Sequence, residues 1–585
     1  MSGEGAGSWH PESPRGSESA GSRATVPSRR VAQVEGLFVS GPTSASDQAA
    51  RDDAHLQSLG IKPELKRSLG FLSNFAVAFS YISVSTGTYT LIGLGLAVGG
   101  PSFFWSWPII VLGQLFVALN FAELASHFPV AGSIYQWSKR LSNRTLGFFT
   151  GWIYFWAGVL TVTAVAATVP LVLSSIFGFG LTAASPLPAV NNLIFWAILT
   201  LISTTLINAF GVRLLSIINN LGVAAEIVGM LVFALILLIF FNHQSPSVLT
   251  TTAGLENQPG GSFPAVFLVA MFMSLFVVYG FDTAGTFGEE TLDAGRQAPR
   301  GILAAILLSG AVGAIFLLAI ILSFKDVAGE ISSAQAFGLP IGDTILANMG
   351  DFGKVYLAVI LFAVYVCTMA IQGATTRLMF SMGRDRRIPL GAIWAHVNPS
   401  FKTPANAAVA VGVLAAIPLL LSDSPATLAI GATGLIYTSY FLCNLGVLIA
   451  RTHGWPHKGA WFKLGSWGTI INVLALVWGG AMIINFAIWN SSLFGALGQM
   501  SYTIPASGSA AASVWNFRDL TNPLLNTLTF LGGKTVSWFP PIPLFEFTLG
   551  LIVVVGALYY VISGRGRLDA EAAEADAATG EVSIA

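Results

Sequence analysis

Twelve separate stretches of this chain stay apolar for about twenty residues, the length a helix needs to cross the hydrocarbon core of a bilayer. They fall near 69–97, 103–126, 146–176, 190–211, 215–241, 265–288, 301–323, 353–378, 405–422, 426–450, 467–489 and 542–563. Lipid offers no water to complete a backbone hydrogen bond, so such stretches must become helices. The expected class is an all-α polytopic membrane protein with about 12 transmembrane helices. Composition supports this, because 54% of residues are hydrophobic and only 10% are charged. That is too little charge to cover a soluble surface.

The basic residues set an orientation. Lys325, Lys354, Arg518 and Lys534 fall in one set of alternate loops, and the other 24 of the 28 Lys and Arg lie on the opposite side. The positive-inside rule makes that basic side cytoplasmic. An even number of crossings puts both termini there, in a multi-pass protein of the plasma membrane. The chain then divides into a disordered tail (1–60), a core of eleven helices (61–490), a long extracellular loop (491–541), a twelfth helix (542–564) and a second disordered tail (565–585). The N-terminal segment is polar and lacks the pattern of a cleaved signal peptide.

Several function classes are excluded. The net charge is zero, which argues against nucleic acid as a partner. The two cysteines, Cys367 and Cys443, lie in separate apolar stretches, so neither a disulfide framework nor a metal site is expected. No cofactor is expected either. The absence of a paired nucleophile and base, or of a phosphate loop, argues against an enzyme.

Two apolar stretches are interrupted by residues that a membrane helix avoids. The first holds Ser-Val-Ser-Thr-Gly-Thr-Tyr-Thr at 83–90, and the sixth holds Tyr-Gly-Phe-Asp-Thr-Ala-Gly-Thr at 279–286. They lie five crossings apart. Matching interruptions in two halves point to a transporter site at the bilayer midplane. Where a helix restarts, its free N–H groups and positive dipole end suit an anion such as a carboxylate. That assigns Ser85, Thr86, Gly87 and Thr88 to a solute carboxylate, the alternative being that these small residues only let helices approach closely. In the sixth stretch, Gly280 permits irregular backbone. Carbonyls from Phe276 through Val277 and Val278 to Tyr279 then lose helical partners and can accept from a solute ammonium. Gly280 and Phe281 complete this half of the site.

Carboxylates inside the membrane are functional candidates. Asp282 is either a coupling group or a pin for the broken helix. Glu226 stands about 20 Å along the fifth span from Arg213, near mid-depth. It is either a proton-coupling group or a carboxyl hydrogen-bonded within the bundle. Glu123 lies near the cytoplasmic surface within reach of Lys139 and Arg140. Glu289 and Glu290 end the sixth span, where Arg296, Arg300 or Arg377 can pair with them in gating or structural roles.

Several segments in order resemble the amino acid–polyamine–organocation (APC) superfamily. Ala122, Glu123 and Leu124, followed by Pro129, Gly132, Tyr135 and Trp137, resemble its signature after the second helix. Gly280, Phe281, Asp282, Glu289 and Glu290 resemble its sixth-helix signature, and Pro299, Arg300 and Ile302 follow as in the family. Arg377, then Met382 through Asp385 and Ile388-Pro389, then Lys402-Thr403-Pro404, are similar to its eighth-helix end. The segment 59–67 resembles the amino acid/choline branch. The resemblance implies two inverted five-helix repeats (the LeuT-type APC fold) plus two extra helices. It also implies a solute carboxylate on the first break and a solute amine on the sixth. Glu226 departs from the family, since some proton-coupled relatives carry a lysine there. The expected function is that of a permease for an amino acid or related small amine, driven by proton symport. The alternatives are a choline, polyamine or γ-aminobutyrate carrier, or an ion-independent exchanger.

Overall fold

A computed structural model describes residues 45–488 except 187–189, 211, 258–261, 336–338, 422–424 and 457–459, four short strands between 501 and 535, and residues 544–564. The tails 1–44 and 565–585 and most of the 491–541 loop lie outside the described residues.

Each expected crossing is a helix. The first span is Phe71–Ile82 followed by Val84–Gly99, and the second is Ser106–His127. The third is Arg144–Ala166 extended by Thr168–Phe177, the fourth Asn192–Phe210 and the fifth Val212–Phe240. The sixth is Phe263–Val277 with a short continuation, Thr283–Thr286. The seventh is Ala294–Leu322, the eighth Phe352–Arg384, the ninth Ala405–Leu421, the tenth Pro425–Thr452, the eleventh Gly468–Ile488 and the twelfth Leu544–Ile562. Among the described residues, eight helical stretches are long and apolar enough to cross a membrane, the first of them (Phe71–His127) holding two spans, and three shorter apolar helices supply the sixth, ninth and twelfth.

The order of contacts reveals the repeat. Spans five apart lie against each other: first on sixth, second on seventh, third on eighth, fourth on ninth. Other pairings recur with the same offset. The fifth span lies on the eighth and the tenth on the third; the fourth lies on the eighth and the ninth on the third. A two-fold relation between spans one to five and six to ten produces this pattern. Five is odd, so the second set enters from the opposite face and the axis lies in the membrane plane. The eleventh span adds against the second and tenth, and the twelfth against the third and tenth.

Some elements differ from the sequence reading. Residues Ala45–Ser58, expected within a disordered tail, form a helix. Its residue Leu56 is buried with Ile61 and Val130, and its Asp53 accepts from Arg67 at 2.8 Å. Tertiary contacts hold a helix too polar to announce itself by periodicity. Short helices also form at Ser133–Leu141, Val327–Gln335 and Pro340–Met349. Outside the bundle, Ser501–Ile504 pairs antiparallel with Ser513–Asn516, and Thr529–Phe530 with Lys534–Thr535.

Candidate functional site

The first interruption is shorter than its eight small and polar residues imply. Only Ser83 leaves the helix, at φ 29° and ψ 87°, a region that non-glycine residues rarely adopt. Val84 starts the second half, so Ser85, Thr86, Gly87 and Thr88 form its first turn rather than an unwound segment. Hydroxyls on that turn bond locally instead of unwinding it: Ser83 Oγ lies 2.6 Å from Thr86 Oγ1. No side chain of the first span caps the new helix. Glu226 of the fifth span does so instead. Its Oε1 accepts from Ser85 N (3.2 Å), Ser85 Oγ (2.9 Å) and Ser83 Oγ (2.9 Å). A carboxylate at a helix N-terminus is favoured by the free N–H groups and by the dipole.

The sixth interruption is wider. The helix ends at Val277, and residues 278–282 are not helical. Tyr279 N turns back to Val277 O (3.0 Å). Gly280 sits at φ 92°, and its N–H donates to Tyr440 Oη (2.9 Å) rather than to the Phe276 carbonyl that a helix would offer. The Leu275 and Phe276 carbonyls thus lose their helical partners. Asp282 is buried and accepts three hydroxyls: Tyr440 at 2.6 Å, Tyr154 at 2.7 Å and Ser133 at 2.9 Å. It therefore pins the broken helix through side-chain hydroxyls contributed by the tenth span, the third span and the Ser133–Leu141 helix.

The two breaks touch. A Cβ on Gly87 would fall 2.6 Å from Val277 Cγ2, and one on Gly280 would fall inside the Tyr81 ring. The Tyr81 and Tyr279 rings meet edge to face at 6.2 Å. Phe276, Val277, Val278, Tyr279 and Phe281 are all buried around this contact. The two-fold relation extends to the partners. Glu226 lies fourteen residues into the fifth span and reaches the first break, whereas Tyr440 lies fifteen residues into the tenth span and reaches the sixth.

The model of the family described as "amino acid permease" matches residues 69–516, which include both breaks and their partners. This chain belongs to the amino acid permease family of the APC superfamily. The permease is 30% identical over 460 residues to the amino-acid permease BAT1 homolog of Oryza sativa subsp. japonica, covering 74% of this chain and 87% of that one. It is 28% identical over 459 residues to amino-acid permease BAT1 of Arabidopsis thaliana, with the same two coverages. It is also 26% identical over 402 residues to the branched-chain amino acid permease BcaP of Bacillus subtilis, covering 66% and 81%.

At its basic end the permease is tied together by ion pairs. Glu290 and Arg377 form a fully buried two-pronged pair at 2.6 and 3.1 Å. Glu289 takes Arg384 in the same way and also accepts Ala131 N. Of the three arginines expected here, Arg377 pairs with Glu290, whereas Arg296 and Arg300 lie over the Trp461 and Phe71 rings. Glu123 is not paired with Lys139 or Arg140. It bonds Arg451 and Leu464 N, joining the second span to the tenth span and the segment beyond it. Lys139 instead meets Asp385 at 2.6 Å, and Arg140 donates to Leu59 O. Glu123 and Glu289 therefore lie apart from the breaks, and Glu226 and Asp282 lie on them. Tyr440 and Ser133 escaped sequence reasoning, which read Arg384 only as part of the eighth-helix signature and not as the partner of Glu289. The five-span offset from Glu226 would have pointed to Tyr440.

Proposed function

We propose that the permease carries an amino acid across the plasma membrane by alternating access, with its basic end in the cytoplasm. The solute's carboxylate faces the helix turn of Ser85, Thr86, Gly87 and Thr88. Its ammonium faces carbonyls of the sixth break between Phe276 and Gly280. The observation that carries this reading is the contact between two broken helices five spans apart, one presenting the N-terminal turn of its second half and the other the Leu275 and Phe276 carbonyls that have lost their helical partners. The neighbouring side chains Val277, Val278 and Phe281 are apolar, which suits a solute with an aliphatic side chain, in line with the name of the Bacillus subtilis relative. Proton symport supplies the energy, with Glu226 as the coupling group.

The test is competition in vesicles. Labelled leucine taken up by the reconstituted permease is challenged with amino acids, γ-aminobutyrate, choline and polyamines. Amino acids are expected to compete better than their decarboxylated amines. The reverse order would replace this reading with a cation carrier, whose site would rest on Tyr279, Phe281 and Asp282.

A further inference from the structure

The turn that the proposed function offers to a solute carboxylate already holds one. Three donors from Ser83 and Ser85 converge on Glu226 Oε1, and Glu226 is 2% exposed. Its other oxygen, Oε2, accepts no hydrogen bond among the described residues. An ionised carboxylate is costly at this depth, and these donors offset part of that cost. An amino acid's carboxylate needs the same N–H groups and hydroxyls. Two carboxylates sharing one site cannot both stay ionised. A second group on this turn is unfilled: Thr88 Oγ1 is fully buried and has no hydrogen-bond partner.

We propose that Glu226 is the resident occupant of the solute's carboxylate subsite, so that the ionised Glu226 side chain and the solute exclude each other. This rests on the proposed placement of the solute at the first break. Glu226 takes a proton from the aqueous phase at whichever face is open. The Ser83 and Ser85 donors then transfer to the entering carboxylate. When the solute leaves at the other face, Glu226 gives up its proton there and returns to the turn. One proton accompanies each zwitterion, and one positive charge crosses per cycle. The groups facing Glu226 fit this role. Tyr356 and Cys367 are the titratable neighbours, both from the eighth span. Among the described residues no basic side chain pairs with Glu226. On the seventh span, which lies against the fifth, the arginines Arg296 and Arg300 stay at the basic end.

The experiment measures leucine binding and uptake by the full-length permease in vesicles from acid to alkaline pH, with wild type, Glu226→Gln and Ser85→Ala. In the wild type, leucine affinity should weaken about tenfold per pH unit once Glu226 ionises. Glu226→Gln should bind at least as tightly as the wild type at its best pH, without pH dependence, and should equilibrate leucine without response to a proton gradient. Ser85→Ala should shift the wild-type profile towards alkaline pH, because ionised Glu226 loses a donor. A wild-type pH profile that survives in Glu226→Gln overturns the inference, as does uniformly weaker binding by that variant at every pH. Wild-type protein that binds no amino acid would instead overturn the proposed function, and the inference with it.

Discussion

Two residues with positive φ shape the two breaks, and they do so differently. Ser83 holds a conformation that costs on the order of 1–3 kcal/mol, and bonds to Thr86 and Glu226 hold it there. Gly280 needs its missing side chain, because its φ is 92° and the Tyr81 ring fills the Cβ position. Gly280→Ala should therefore abolish uptake, whereas Gly550→Ala, with open space around it, should leave uptake intact. Uptake normalised to protein in the membrane compares the two. Asp282 gives a second expectation. Asp282→Asn turns one of three acceptor contacts into a clash of donors, and hydrogen bonds to a charged group are worth about 1.5–3 kcal/mol each. It should lower transport and melting temperature more than Tyr154→Phe, which removes only one contact; equal effects would deny Asp282 its pinning role. At this scale the sequence shows which residues are anomalous but not whom they meet. Glu226 and Asp282 stand out as carboxylates in apolar helices. Their partners Ser83, Ser85, Tyr154 and Tyr440 lie on other spans, more than a hundred residues away.

Elements were legible where hydrophobicity alone shapes them. All twelve crossings could be read from apolar length, because lipid allows a spanning backbone few other forms. The Ala45–Ser58 helix could not, because its composition is polar and its stability comes from partners such as Arg67 and Val130. The first break was read too long for a related reason: Ser and Thr hydroxyls that look like helix breakers bond within the turn instead. The basic end is where elements are joined by charge. Removing one partner of a buried ion pair costs about 3–5 kcal/mol, whereas replacing both by apolar groups is often tolerated. Glu290→Gln should thus lower the melting temperature in detergent more than Glu290→Leu combined with Arg377→Met. The Asp385 contact should add a pH dependence. Burial works to raise the Asp385 carboxyl pKa, but Lys139, Tyr135 and Arg384 outweigh it, and the net shift is downward. A carboxylate with a lowered pKa stabilises the fold above its ordinary range, and that stability is lost as pH falls through the depressed value. Asp385→Asn should flatten the acid limb of a melting-temperature profile; an unchanged limb would assign it to other groups.

The whole molecule is built from one arrangement used twice, and each half closes on a polar residue of its last span. Glu226 meets the first break and Tyr440 the sixth, so the two halves share a geometry but differ in chemistry: one presents a carboxyl group, the other a hydroxyl that latches Gly280 to Asp282. Sequence conveyed the five-span offset of the breaks, but the contacts that make the halves equivalent needed the fold. The alternating access proposed for this permease calls for one bundle to rock against the other around the site, which would part the first and sixth spans from the third and eighth. Thr90 and Thr168 offer a way to stop that motion without touching either break. Their hydroxyls lie 2.8 Å apart, joining the first span to the third in the half of the bundle away from the basic end. The native cysteines Cys367 and Cys443 are both buried, so they should not interfere. Thr90→Cys combined with Thr168→Cys should lose uptake on oxidation and regain it with reductant, while either single variant stays insensitive. Transport that continues with the crosslink complete would mean that these two spans do not part during the cycle, and the rocking mechanism would have to be replaced by movement elsewhere in the bundle.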